Sequence, residues 1–407
     1  MYGLLGRSLD HSLSPQIHSL FGDYPYRLFC REKNELDSFF SDENIKAFNV
    51  TVPYKIEAYN RCDFLSETAK KIGSVNTVVR TAGGRLYGDN TDYFGFSRMA
   101  EKYGAVFKDK KVLILGSGGA SLAVKAVVQD SGARKIVVVS RTGENNYQNI
   151  SNHYDSDIIV NTTPVGMYPH NGERLIDLSQ FNSLSCVLDL IYNPLKTSLL
   201  LDAEKLNIPH GNGLYMLVAQ GLRSAELFLE KNFDEALIDR AYEKIKKEIN
   251  NIILIGMPGC GKSTVGRILA EKLSKKLFDI DAEIEEKTSK KIAEIFEESG
   301  EEKFREIETK VIYYYCREMG MVVATGGGAV LKKENREAMK QNGTIIYLKK
   351  DLSELATVGR PLSSDAAAVQ KLYEQRKEIY ENLADFTVEV DSNPEITAER
   401  VIGCISL

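Results

Sequence analysis

The sequence predicts an α/β protein built on parallel sheets, and three observations carry that expectation. Short β-branched runs alternate with amphipathic stretches: "KVLILG" then "SLAVKAVVQDSG", "KIVVVS", later "NIILIG" then "GKSTVGRILAEKL". This is the pattern of strands joined by covering helices. Two glycine-rich turns, "GSGGAS" at Gly116 and "GMPGCGKS" at Gly256, each stand between a strand run and a helical run. A hydrophobic content of 43% over 407 residues is enough for two or three domains, each with its own core.

In chain order, residues 1–104 read as a first α/β unit with strands near Tyr2, Tyr26, Ala47 and Val75. Lys111 opens a second, 105–211, of the dinucleotide-binding Rossmann kind. From Asn212 the chain turns helical, and helices over 212–248 are expected to pack back on the first unit. "NIILIG" then opens a third unit, 250–407, with no Gly/Ser/Pro linker before it, so the connection has a reach of only a few residues.

Net charge −5 disfavours a general nucleic-acid or acidic-membrane binder, which needs a basic surface field. Six scattered cysteines without a C-x-x-C pair suggest neither a zinc site nor a disulfide framework, and fit a reducing cytoplasm. Apolar runs are strand-sized, so no export signal and no membrane span is expected. His18, His153, His170 and His210 lack metal-ligand spacing, and His11 beside Ser12 serves to shape a turn.

Gly256 to Ser263 fits G-x-x-x-x-G-K-[ST] after a buried-strand run and before a helix. Backbone N–H groups of such a loop point at phosphate oxygens, and the helix start adds its positive dipole end. Gly259, Cys260, Gly261, Lys262, Ser263 and Thr264 would therefore cradle ATP or GTP, with Lys262 on the outer phosphates and the Ser263 hydroxyl on Mg²⁺.

Downstream stand "LFDIDAEIEEKT", "IFEESGEEKFREIE", "VVATGGGAVL", "VGRPLSS" and "KLYEQRKEIYENLADFTVEV". Each is weak alone, and an Arg within "EEKFREIE" ordinarily reads as a solvated helix face with i,i+4 ion pairs. In this order they resemble the shikimate kinase family over residues 250–407, a P-loop fold like that of the nucleoside monophosphate kinases. The resemblance implies Asp279 at Mg²⁺ and Asp281 accepting from the attacking hydroxyl. It places Arg305 and Arg376 on the substrate carboxylate, Gly327 and Gly328 against the ring, and Arg360 on a lid over ATP. Only fifteen residues separate Arg360 from Arg376, and "RPLS" stands where the family has "RPLL", so the lid is short.

At the first glycine loop, Gly116, Ser117, Gly118, Gly119 and Ala120 follow a strand and open a helix, although Ser121 takes the third glycine position of G-x-G-x-x-G. The next strand ends in Ser140, Arg141 and Thr142 rather than in an acid that would grip an unmodified ribose. Charge and hydroxyls there suit a 2′-phosphate, favouring NADP over NAD.

"HSLSPQIHS", "NVTVPYK", "GSVNTVV", "GDNTDYFG", "NTTPVGM" and "GLYMLVAQG" make residues 1–248 resemble the shikimate dehydrogenase family. That resemblance implies Ser12 and Ser14 on the substrate carboxylate and Thr51, Asn76, Tyr192 and Gln220 on its hydroxyls. It sets backbone near Leu190 and Gly213 against the nicotinamide. Lys55 and Asp92 are the implied proton-transfer pair, since hydride addition to a ketone needs a proton beside the oxygen.

Together the two resemblances imply NADPH-dependent reduction of 3-dehydroshikimate and ATP-dependent phosphorylation of the resulting shikimate, with NADP(H), ATP and Mg²⁺ as cofactors. The alternative is an NAD-linked quinate or shikimate dehydrogenase fused to a regulatory nucleotide-binding module.

Overall fold

The described residues of the computed structural model, 1–10, 12–355 and 366–405, form sixteen strands in three sheets. The chain divides into two units. One comprises Met1–Val165, Arg174–Tyr192 and Asp202–Lys246; the other comprises Gly166–Glu173, Asn193–Leu201 and Lys247–Leu407. Arg360, expected on a lid, and His11 lie outside the described residues.

The first unit holds two sheets. One is built of β1 (Tyr2–Gly6), β2 (Tyr26–Cys30), β3 (Ala47–Val50), β4 (Phe64–Leu65), β5 (Thr77–Arg80) and β6 (Leu86–Asp89), in the order β2-β1-β3-β5-β6-β4. It is mixed rather than wholly parallel: β5 runs antiparallel to both β3 and β6. The β5–β6 connection, residues 81–85, is too short for a crossover helix, so the strands must form a hairpin.

The other sheet is built of β7 (Lys111–Leu115), β8 (Lys135–Val139), β9 (Ile158–Asn161), β10 (Cys186–Asp189) and β11 (His210–Asn212), in the parallel order β11-β10-β9-β7-β8. All five residues of β7 are buried, as a parallel strand covered on both faces requires. The chain leaves β7 for β8 on one side and returns to β9 on the other. The crevice above the β7 and β9 ends is thus the topological switch point where such sheets bind ligands.

The second unit holds β12 (Asn251–Ile255), β13 (Lys276–Asp279), β14 (Met321–Ala324), β15 (Gly343–Lys349) and β16 (Phe386–Glu389), all parallel, in the order β13-β14-β12-β15-β16. Its core joins Ile253, Leu254, Val323, Ile346 and Leu348 of the sheet to Leu269, Ile312 and Val401 of the helices. Residues 166–173 and 193–201, which the sequence pattern assigns to the dinucleotide-binding part, are grouped with this unit. Lys196 N donates to Gln341 O (2.8 Å), Leu195 N to Asn342 Oδ1 (2.8 Å) and the Tyr168 hydroxyl to Glu318 Oε1 (2.9 Å). Among the described residues no helix is long and apolar enough to cross a membrane.

Candidate active sites

In the first unit, Lys55 opens the helix Lys55–Arg61 and Asp92 opens the helix Asp92–Lys102. Lys55 Nζ donates to Asp92 Oδ2 at 2.5 Å, and both side chains are largely buried. A lysine at a helix N-terminus faces the like-signed end of the dipole, so the carboxylate offsets an unfavourable placement. Asn76 Nδ2 donates to the other carboxylate oxygen, Asp92 Oδ1, at 2.8 Å. Asp92 is thereby engaged on both oxygens, which fixes its plane.

The dinucleotide loop stands against this pair. A Cβ added at Gly119, the first residue of the helix Gly119–Asp130, would lie 3.6 Å from Lys55 Cδ. Ser121, at the third glycine position, turns inward and donates to Gly118 O at 2.6 Å, a bond that glycine could not make. The Leu190 and Gly213 backbones meet closely: a Cβ on Gly213 would fall 1.9 Å from Leu190 O. Arg141 is exposed, makes no ion pair among the described residues, and is flanked by half-buried Ser140 and exposed Thr142.

Gln220 lies on the helix Leu214–Leu229, where Thr91 Oγ1 reaches its Oε1 at 3.4 Å. Ser14 N donates to Ser12 Oγ (3.3 Å) at the start of the helix Ser14–His18, and Thr51 N to Leu5 O (2.9 Å). Tyr192 is half-buried, and its desolvated phenol is pushed above its usual value. The structure thus brings Lys55, Asn76 and Asp92 into direct contact, sets Gly119 beside Lys55, and ties Gln220 to them through Thr91. Among the described residues no hydrogen bond joins Thr51 or Ser12 to that cluster.

In the second unit the loop after β12 turns through Gly259 (φ +86°) and Gly261 (φ +98°), a left-handed conformation in which a side chain is strained. It delivers the chain into the helix Lys262–Lys272. Lys262 is buried and donates to Gly256 O (2.9 Å) and Met257 O (3.0 Å), so its charge rests on its own loop. Ser263 and Thr264 are exposed at the helix start, and Cys260 is buried beneath. Asp279 Oδ1 caps the helix Ile280–Thr288 by accepting from Asp281 N (3.1 Å) and Ala282 N (3.3 Å).

The glycines after β14 let three groups converge. A Cβ on Gly326 would lie 2.8 Å from both Asp281 Oδ1 and Glu308 Oε1, one on Gly327 would meet Pro258 of the phosphate loop at 2.6 Å, and one on Gly328 would strike the Arg305 guanidinium at 2.2 Å. The hydroxyl of buried Tyr380 donates to Gly327 O. Arg305 is no solvated helix residue: it is buried, and its Nη1 donates to Glu308 Oε2 at 2.7 Å. Arg376 is buried as well.

Glu308 is the residue the sequence reading missed. It is 0% exposed, and burial pushes its carboxyl above the ordinary value against the pull of Arg305. Its Oε1 and Arg376 Nε have no hydrogen-bond partner among the described residues. The signal was present in the helical spacing: Phe304, Arg305, Glu308, Val311 and Ile312 recur at three- and four-residue steps and form one buried face. Charge at two of those positions hid the stripe.

Comparison with known proteins bears on each unit. Residues 258–406 match the family model described as shikimate kinase, and residues 4–78 that described as shikimate dehydrogenase substrate binding domain. The shikimate dehydrogenase (NADP(+)) of Clostridium beijerinckii is 37% identical over 267 residues, which are 61% of this chain and 98% of that protein. The chain belongs to the shikimate dehydrogenase family. With the kinase domain that follows, it is a bifunctional shikimate-pathway enzyme.

Among solved structures, a chorismate mutase/shikimate 5-dehydrogenase fusion protein from Clostridium acetobutylicum aligns with a TM-score of 0.57 and 37% identity, covering 60% of this chain and 97% of that one. Shikimate 5-dehydrogenase from Thermus thermophilus, solved with NADP(H) and shikimate, aligns with a TM-score of 0.54 and 27% identity over 60% and 98% of the two chains. The dehydrogenase part is fused to an enzyme domain in this chain and in the Clostridium acetobutylicum protein alike.

Proposed function

We propose that the dehydrogenase unit reduces 3-dehydroshikimate with NADPH through Lys55 and Asp92, and that the kinase unit phosphorylates the shikimate so formed through the cluster around Asp281. The observation that carries this reading is the placement of the Lys55–Asp92 pair beside Gly119 of the dinucleotide loop. NADPH when bound supplies the hydride, and ATP with Mg²⁺ the phosphoryl group.

As the ring ketone gains negative charge, the Lys55 ammonium gives it a proton; Asp92, held by Asn76, keeps the amine aimed and favours its reprotonation. Ser12 and Ser14 bind the carboxylate, and Thr51, Asn76, Tyr192 and Gln220 select the hydroxyls. Arg141 with Ser140 and Thr142 takes the 2′-phosphate, in keeping with the NADP(+) named for the Clostridium beijerinckii relative.

In the kinase unit Asp281 orients the attacking hydroxyl and receives its proton, while Arg305 and Arg376 clamp the carboxylate. The unpartnered Arg376 Nε suits that anion. Asp279 Oδ2 carries no hydrogen bond among the described residues, and with the Ser263 hydroxyl it offers hard oxygen donors to Mg²⁺. What supports a kinase over a nucleotide sensor is the burial of two arginines around Glu308 and Asp281, since a sensor needs no clamp for a second substrate. Six free cysteines suit work in the reducing cytoplasm.

The test supplies purified protein with 3-dehydroshikimate, NADPH, ATP and Mg²⁺ and follows phosphorylated product. Lys55→Ala is expected to stop the sequence at reduction while leaving added shikimate a kinase substrate; Asp281→Ala is expected to do the reverse. Loss of both activities from either change in a folded protein would refute the two independent sites.

A further inference from the structure

We propose that Ser224 is a positioning residue for the dehydrogenase reaction: its buried hydroxyl sets the orientation of Asn76 and, through it, of the Lys55–Asp92 pair. The inference rests on the reading of that pair given above.

Ser224 lies one turn after Gln220 on the helix Leu214–Leu229 and is 0% exposed. Its hydroxyl donates to Gln220 O at 2.9 Å, which alone would be an ordinary mid-helix serine bonding back to the preceding turn. Three further contacts set it apart. Asn49 Nδ2 lies 2.7 Å away, Thr77 Oγ1 3.0 Å and Thr91 Oγ1 3.0 Å. Asn49, Asn76, Thr77, Thr91 and Asp92 are all buried, so no solvent is at hand to satisfy them.

Counting protons narrows the arrangement. With its one proton on Gln220 O, the Ser224 oxygen only accepts, and it has room for two donors. Asn49 Nδ2 is the first, at 2.7 Å, with its Oδ1 accepting from the Tyr26 hydroxyl at 2.8 Å and its Nδ2 also 3.0 Å from Thr77 Oγ1. The second is a threonine hydroxyl. Asn76 Oδ1 already accepts from Thr91 N at 2.7 Å and has room for one hydroxyl more, yet Thr77 (3.0 Å) and Thr91 (3.2 Å) both reach it.

Ser224 takes the threonine proton that Asn76 cannot. Gln220 Oε1, 3.4 Å from Thr91 Oγ1, is the longer alternative; with Thr91 N on its Oδ1, Asn76 points that oxygen into the cluster and Nδ2 out to Asp92 Oδ1. Asp92 is left with Oδ2 for Lys55.

Without the Ser224 hydroxyl, an Asn49 N–H and a threonine O–H lose a near acceptor together and are turned toward Thr77 Oγ1, Gln220 Oε1 and the two oxygens of Asn76, which disturbs the hold on that amide. The experiment uses the full chain with Ser224→Ala and Ser224→Cys, the second keeping the side-chain volume while offering only a weak hydrogen-bonding sulfur. Each is made in the parent and in Lys55→Met, and shikimate oxidation by NADP⁺ is followed.

In the parent, kcat is expected to fall about tenfold in both variants, with the affinity for NADPH by fluorescence titration and the kinase rate within about twofold of the parent. In the Lys55→Met background neither change should lower the residual rate further, because the pair through which Ser224 acts is already gone. A parental kcat in the Ser224 variants, an equal fall in the Lys55→Met background, or a fall matched by lost NADPH binding would each overturn the inference. A Lys55→Met chain that kept the parental rate would overturn the reading of the pair itself, and is distinct from all three.

Discussion

Each unit sets a largely buried lysine at its candidate site, Lys55 in the first and Lys262 in the second, and the two are solvated in opposite ways. Lys55 faces a carboxylate that is itself held by an amide, so every partner is a side chain already in place. Lys262 gives its protons to two main-chain carbonyls of its own loop, and in the same unit Glu308 Oε1 and Arg376 Nε stand unpartnered among the described residues. A group that returns a proton on every turnover needs its partner built into the fold. One that meets a polyanion needs neutral acceptors it can surrender. The lysine is held by fixed side chains in the first site and by its own main chain in the second.

That contrast is broken most severely by exchanging each lysine for methionine. Lys55→Met is expected to lower shikimate oxidation about 1000-fold with the kinase rate unchanged, and Lys262→Met to lower phosphorylation about 1000-fold with the oxidation rate unchanged. Separate steady-state assays of the two reactions on one preparation check this; coordinated loss would erase the distinction.

A smaller effect comes from the glycines that border the two sites. Gly328→Ala puts a methyl group 2.2 Å from the Arg305 guanidinium and is expected to raise the kinase KM for shikimate about 30-fold. Gly119→Ala meets Lys55 Cδ at 3.6 Å, ordinary contact, and should change the dehydrogenase kcat by less than about threefold. Equal sensitivity at the two positions would contradict the geometry.

Arg141→Leu should raise the KM for NADPH about tenfold and leave that for NADH nearly unchanged, as initial rates with each nucleotide would reveal.

The mildest prediction concerns His18, stacked on Tyr26 at 4.0 Å behind the first site. Burial pushes its imidazole down from 6.5 to about 3. The unfolded chain therefore takes up the proton first, and the stability contributed by the neutral ring is complete above pH 6.5 and lost as pH falls toward 3. At pH 5 the loss is about 2 kcal/mol. Denaturant unfolding of the dehydrogenase unit at pH 7.5 and pH 5 should show His18→Phe gaining that amount on the parent; parallel pH dependence would reject a neutral buried ring.

What was legible in the sequence was local. Both glycine loops, the strands that feed them and the helices that leave them lie within single windows, because a turn, a strand and a helix start are specified by neighbours in the chain. Arg305 and Arg376 were legible only through order and spacing of motifs, and their burial was not. The parts that escaped are those whose partners are remote. Ser224 meets Asn49 across 175 positions, and Leu195 meets Asn342 across 147, so no window contains either pair. Glu308 escaped for another reason: a charged residue on a helix is read outward unless its apolar neighbours are counted at helical steps.

The carbonyl cradle of Lys262 bears on kinetics. With its protons on two carbonyls of its own loop, the Lys262 ammonium ties that loop to the start of the helix Lys262–Lys272. Arrival of the triphosphate is then an exchange of ligands on one ammonium rather than the building of a cavity. Rapid-mixing traces of nucleotide association at this loop should accordingly rise in a single phase, with an observed rate that climbs linearly with nucleotide concentration.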